Sequence, residues 1–163
     1  MFKAGVITCS DSSFQGTRED LSGKLICDIL EDNGYEIGRY KVVPDSKEDI
    51  KIEIKKMSDE LDLDLVLTTG GTGFGPRDVT PEATGEVVER WANGIAEAIR
   101  NYSLSITRRA MLSRAVSGIR GETLIVNMPG SPKAVQESLD YVLETLHHGL
   151  GILKDIEHNC ARD

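Results

Sequence analysis

The residues best suited to chemistry in this chain are two aspartates and a dense run of glycines. The stretch TTGGTGFGPRDVTP, residues 68–81, carries Gly70, Gly71, Gly73 and Gly75, and then Asp78 beside Arg77. Glycine costs the chain conformational entropy, so a cluster this dense needs a reason. One reason is close approach of backbone to a phosphate, and the flanking residues fit that use. Leu63, Leu65, Val66 and Leu67 form an almost continuous apolar run, as in a strand buried on both faces. Thr80 is a good N-cap, Pro81 suits the first helical position, and Glu82 favours the first turn. Strand, glycine loop with Thr72 inside it, and helix start, in that order, point free N–H groups at an anion. The loop is not a Walker A sequence, since no Lys-Ser or Lys-Thr follows its last glycine, and it does not fit the GxGxxG dinucleotide pattern. A tight strand-to-helix turn with no ligand is the competing reading.

Asp45 follows Pro44 at the end of a second expected strand. Two carboxylates near a phosphate repel it unless they hold a cation, and Mg2+ binds through one or two carboxylates plus substrate phosphates. Asp45 and Asp78 are therefore the candidate metal ligands. Against this stands a plain alternative, in which Asp45 caps the helix beginning near Glu48 and Asp78 caps a helix or pairs with Arg77. NMPGSP, from Asn127 through Pro129, Gly130 and Ser131, places another turn and helix start at a strand end. It fits an anion site or a capped helix entrance equally well. Ser10 and Asp11 stand at a further strand end. Arg108, Arg109, Arg114 and Arg120, interleaved with Ser113, Ser117 and Gly118, are candidate contacts for a phosphorylated substrate, although most surface arginines make none. His147 and His148 lack a third metal ligand, and no Ser/His/Asp nucleophile set stands out.

These residues need elements to hold them. Residues 3–9 read as a first buried strand, followed by a loop and a helix carrying Leu21, Leu25 and Ile29 that stops at Asn33-Gly34. Residues 35–43 alternate like a strand. Ile50, Ile54, Met57 and Leu61 stripe a helix, and Val87, Val88, Trp91 and Ile95 predict another after Pro81, weakened at Gly94. Residues 101–121 are mixed. Residues 124–126 form a last apolar run before the longest helix, which opens at Ser131-Pro132 and is apolar at Leu139, Val142, Leu143, Leu146, Leu150 and Leu153. Strands alternating with helices imply an α/β fold whose parallel sheet is covered on both faces. Such sheets bind ligands outside the carboxyl ends of their strands, where all four unusual segments fall.

The 163 residues are expected to form one domain, with residues 155–163 fraying as a polar tail. A net charge of −8 argues against non-specific nucleic-acid binding. Cys9, Cys27 and Cys160 form no CxxC and leave an odd count, as in a reducing compartment. No leader or long apolar span is read, so no membrane is expected and the cytoplasm is the expected location.

With these residues assembled, the sequence resembles the molybdopterin adenylyltransferase family, which includes the G domains of gephyrin and its plant counterpart. The resemblance covers about residues 3–154 and rests on VITCSDSSFQGTREDLSG, VVPD, LVLTTGGTGFGPRDVTPEAT, MLSRAVSGIRG and LIVNMPGSPKAV. It implies a three-layer α/β/α sandwich with a mostly parallel sheet, assembled as a homotrimer. The implied reaction is Mg2+-dependent transfer of AMP from ATP to the terminal phosphate of molybdopterin, the product passing to a molybdenum insertase. On this resemblance the catalytic, metal-holding carboxylates are Asp45 and Asp78. The nucleotide-facing residues are Ser10, Asp11, Gly70, Gly71, Thr72, Gly73, Gly75, Asn127, Pro129, Gly130 and Ser131. The pterin lies near Ser113, Arg114 and Gly118. The alternatives are a trimeric scaffold that holds molybdopterin without activating it and a nucleotide hydrolase on the same fold.

Overall fold

Short apolar runs without helical spacing become the sheet, and the striped segments become the helices that cover it. The computed structural model describes residues 1–158. In chain order the elements are β1 (Lys3–Cys9), α1 (Asp11–Gln15), α2 (Leu21–Asp32), β2 (Glu36–Val43) and α3 (Lys47–Lys55), which runs on into a π turn at Lys56–Glu60. Then come β3 (Leu65–Thr69), α4 (Thr80–Val87), β4 (Arg90–Trp91), α5 (Asn93–Leu104), a 3-10 turn at Arg108–Leu112, β5 (Ser117–Arg120), β6 (Thr123–Met128) and α6 (Pro132–Leu153). The strands form a single sheet in the order β2-β1-β3-β6-β5-β4. β2, β1, β3 and β6 run parallel, and β5 and β4 add antiparallel at one edge.

Strand alternation sorts the core. Leu65 and Leu67 face one side, with Ile26 and Leu30 of α2, Ile99 of α5 and Leu139 and Leu146 of α6. Val66 faces the other, with Ile50 and Ile54 of α3 and Ala83 and Val87 of α4. The result is the expected three-layer α/β/α sandwich. Each such Val, Leu or Ile side chain contributes about 1.5–3 kcal/mol when fully buried, so both faces of the sheet are firmly held beneath the loops at its edge.

The segment expected to be one helix through Val87, Val88, Trp91 and Ile95 is instead α4, β4 and the start of α5. α4 ends because Val88 adopts an extended backbone, φ −73° and ψ 146°. The Val88 side chain packs where Gly118 leaves room, since a Cβ there would come within 2.6 Å of Val88 Cγ1. Val87 then packs on one face of the sheet and Ile95 on the other, while Trp91 is 58% exposed. The apparent period was a coincidence across a break. Leu21 and Leu61 are exposed too; α2 turns Ser22, Gly23, Ile26 and Leu30 inward instead. Thr80 opens α4 without capping it, because its hydroxyl donates to the Gly70 carbonyl at 2.9 Å.

Within the tail expected to fray, the N–H groups of Ile156 and Glu157 donate to the Gly151 carbonyl at 2.8 and 3.0 Å, and residues 159–163 lie outside the described residues. No helix among the described residues is long and apolar enough to cross a membrane.

Candidate active site

Four adjacent parallel strands deliver the singled-out segments to one edge. β1 ends before Ser10, β2 before Pro44-Asp45, β3 before Gly70, and β6 just before Pro129. This is the edge at which open α/β sheets take their ligands.

The glycine loop is pressed into that edge. Gly70 and Gly71 have φ of 92° and 69°, the left-handed region that disfavours other residues. A Cβ on Gly70 would lie 2.5 Å from the Cys9 carbonyl oxygen. One on Gly71 would lie 2.3 Å from Thr80 Oγ1 and 3.3 Å from Asp45 Oδ1. Gly73 and Gly75 serve another purpose: a Cβ on either would approach Asp78 Oδ2 to 3.0 and 2.9 Å. The glycines therefore seat the loop against one aspartate and leave room for the other.

Asp45 and Asp11 exchange reciprocal bonds, each carboxylate accepting the other's backbone N–H at 3.0 Å. Arg77 then grips Asp11 with two bonds, Nε to Oδ2 at 2.9 Å and Nη2 to Oδ1 at 3.1 Å. That guanidinium, with the Asp45 N–H, holds the Asp11 carboxyl below its usual range. Asp45 moves the opposite way. Desolvation, together with the charges of Asp11 and Asp78, pushes its carboxyl up against the pull of the Asp11 N–H and Arg77. Asp78 accepts the Gly75 N–H at 2.9 Å. Neither capping alternative describes these residues: Ser46 caps α3, and Arg77 pairs with Asp11 rather than Asp78.

A partly buried carboxylate repelled by two others suits a cation. Among the described residues no cluster of three or more His, Cys, Asp or Glu side chains is arranged to hold a metal. His147 and His148 lie apart in α6, the former edge-on to Phe2 and Tyr35. Burial pushes the Cys9 thiol up to about 12, which leaves it inert as a nucleophile near neutrality.

The other candidates divide. Ser10 caps α1 through Ser13 N–H and Ser131 caps α6 through Ala134 N–H, while Gly130 sits over Gly70, whose Cα lies 3.5 Å from where a Gly130 Cβ would stand. Asn127 is buried, and its amide is spent inside the fold. It donates to Thr68 Oγ1 and Thr84 Oγ1 at 3.0 and 2.9 Å and accepts the Val116 N–H at 3.1 Å. Gly118 lies within β5 opposite Ile125, short of the strand-end edge. Arg120 is committed to Asp59. Arg114 turns into the glycine loop, with Nε on the Gly73 carbonyl and Nη2 on the Asp78 carbonyl, both at 2.7 Å.

Two cavities flank the loop and meet at Gly130. One, about 230 Å³, is lined by Ser10, Ser13, Arg18, Asp20, Gly70 and Pro132. The other, about 280 Å³ and more apolar, is lined by Thr72, Gly73, Ile99, Arg109, Leu112, Ser113 and Pro129. Asp20 is a residue the sequence reading passed over. It caps α2 through Gly23 N–H at 3.0 Å and accepts the hydroxyls of Thr8, at 2.6 Å, and Tyr40. Its place just before an apolar-periodic segment was the available signal. A cavity of about 580 Å³ lies elsewhere, between α2 and α6 beside Tyr35 and His147.

Comparison with known proteins places these features in a family. The family described as "Probable molybdopterin binding domain" matches residues 5–148. A molybdopterin adenylyltransferase of Helicobacter pylori is 41% identical over 152 residues, covering 91% of this chain and 86% of that protein. Gephyrin of Dictyostelium discoideum is 44% identical over 91% of this chain, which spans only 22% of gephyrin's length. The crystal structure of the molybdopterin biosynthesis enzyme MoaB from Thermus thermophilus superposes with a TM-score of 0.90 at 45% identity, covering 95% of this chain and 98% of the other.

Proposed function

The chain belongs to the probable molybdopterin binding domain family, and from that premise we propose that it transfers AMP from ATP to the terminal phosphate of molybdopterin, releasing pyrophosphate. One observation carries the reading: Asp45 and Asp78 flank a glycine loop at the shared carboxyl edge of four parallel strands. Phosphoryl and nucleotidyl transfer rest on positioning and charge neutralisation more than on a protein nucleophile. A terminal phosphate oxygen of the pterin forms a bond to the α-phosphorus of ATP, and the bond from that phosphorus to the bridging oxygen of pyrophosphate breaks. The attacking monoester is already ionised near neutral pH, so no general base is needed.

Loop N–H groups, with Gly130 and the Ser131 turn, hold phosphate oxygens in this scheme, and Ser10 and Asp11 line the same edge. Asp45 and Asp78 are the residues that would hold Mg2+, whose charge would offset that building on those oxygens. The more apolar cavity, with Ser113, is a fitting seat for a flat ring. Incubation with molybdopterin, ATP and Mg2+, followed by mass analysis, is expected to yield adenylylated molybdopterin. Absence of that product where an authentic enzyme makes it, with the pterin still bound, would leave a scaffold that holds molybdopterin without activating it.

The chain works in the cytoplasm and passes its product to a molybdenum insertase. It assembles as a homotrimer, for which the exposed Phe74, Trp91, Met111 and Leu112 offer apolar contact surface. Light scattering at micromolar concentration is expected to give three times the chain mass of 17.9 kDa. A clean monomer rules the trimer out and leaves the strand-end site intact.

A further inference from the structure

Arg114 reaches the glycine loop and gathers it at several points. Its backbone N–H donates to the Thr72 carbonyl at 2.8 Å. Its guanidinium donates to the carbonyls of Gly73 and Asp78 at 2.7 Å each. Nη1 binds the Glu82 carboxylate in the first turn of α4, including Oε2 at 3.0 Å. One side chain thus ties Gly73 and Asp78 to the helix that follows them.

The peptide bond turns this grip into a property of the site. All described peptide bonds here are trans, and in a trans peptide the C=O and the next N–H point in opposite directions. Drawing the carbonyls of Thr72, Gly73 and Asp78 toward Arg114 therefore directs the N–H groups of Gly73, Phe74 and Val79 away from it. None of these three N–H groups has a protein acceptor among the described residues. Glycine-rich backbone of this kind flips readily when unconstrained, and a planar fork can fix two carbonyls at once where a lysine ammonium acts as a point. Direct contact with a substrate phosphate fits the geometry less well, because the guanidinium's donors face the loop and its charge is matched by Glu82.

We propose that Arg114 is a positioning residue that holds the glycine loop with its N–H groups turned toward the nucleotide's phosphates. The inference rests on the nucleotide-binding reading above and adds the residue that sets the loop's polarity. The test uses the full chain, inorganic pyrophosphate with Mg2+ and no pterin, read by calorimetry and by amide proton shifts. In the wild type, pyrophosphate is expected to bind and to move the Phe74 and Val79 amide protons downfield, the two whose preceding carbonyls the guanidinium holds. Arg114→Gln and Arg114→Lys are each expected to bind about tenfold more weakly or worse and to lose those shifts while still melting cooperatively. Should Arg114→Gln not fold, Arg114→Lys carries the test alone. If Arg114→Lys keeps wild-type affinity and shifts, charge rather than the fork matters and the inference falls. If the wild type binds and neither variant differs from it, the positioning role is wrong and the nucleotide site stands. If the wild type binds no pyrophosphate, the loop is not a phosphate receptor and both readings fall.

Discussion

Asp78→Asn is expected to slow adenylyl transfer by at least about a hundredfold while leaving the fold in place. Asparagine has the same size, and its carbonyl oxygen can still accept the Gly75 N–H that Asp78 Oδ2 accepts at 2.9 Å. The space left by Gly73 and Gly75 is unchanged, so the substitution removes charge and little else. A lost charge-stabilising interaction in such a site commonly costs roughly 3 kcal/mol of barrier. Single-turnover formation of adenylylated molybdopterin measures the loss, and a melting curve on the same preparation shows that the fold is intact. Molybdopterin should still bind. Near-normal turnover in a folded Asp78→Asn chain removes Asp78 from the mechanism.

The parts of this protein that were legible in its sequence are those specified by short-range signals. The buried strands showed as unbroken apolar runs, and the strand ends were marked by Ser10-Asp11, Pro44-Asp45, Gly70 and Pro129. Once a parallel sheet was inferred, the joint placement of those ends followed from topology alone. What stayed hidden depended on contacts between distant residues. Arg114 stood out through its MLSRAVSGIRG motif as a pterin neighbour, but its grip on the glycine loop joins it to Asp78, 36 residues away in the chain, and no local pattern shows that. Arg77 stands next to Asp78 in sequence yet pairs with Asp11, 66 residues away. Asn127 looked like a site residue because it opens a turn, but strand alternation points its amide into the fold toward Thr68 and Thr84. The break at Val88 was invisible because a helical period continued by chance into β4. Gly118, whose missing side chain admits Val88, explains that break only after folding.

Asp45→Asn is expected to stabilise the chain as it disables it, with turnover falling at least about a hundredfold by the same loss of charge. Asp45 is partly desolvated and repelled by Asp11 and Asp78, and its carboxyl is held above the ordinary value of 3.8. Between the unfolded and folded values the native state therefore binds more protons than the unfolded chain. Stability declines as pH rises through that window, and above it the cost is present in full. Asparagine escapes the cost and can keep the bond from the Asp11 N–H, so without metal at pH 7 the variant should melt above the wild type. The gap should narrow as pH falls toward the ordinary carboxylate value, where Asp45 itself becomes neutral. Saturating Mg2+ with pyrophosphate should also close it, because ligand binding to the native state adds stability to the wild type and far less to the variant. Thermal melts across pH, with and without these ligands, measure all three effects. A variant that melts below the wild type at pH 7 without metal shows that the carboxylate's bond to Asp11 outweighs the repulsion. In that case Asp45 is a structural brace first, and the case for it as a metal ligand has to rest on the loss of turnover alone.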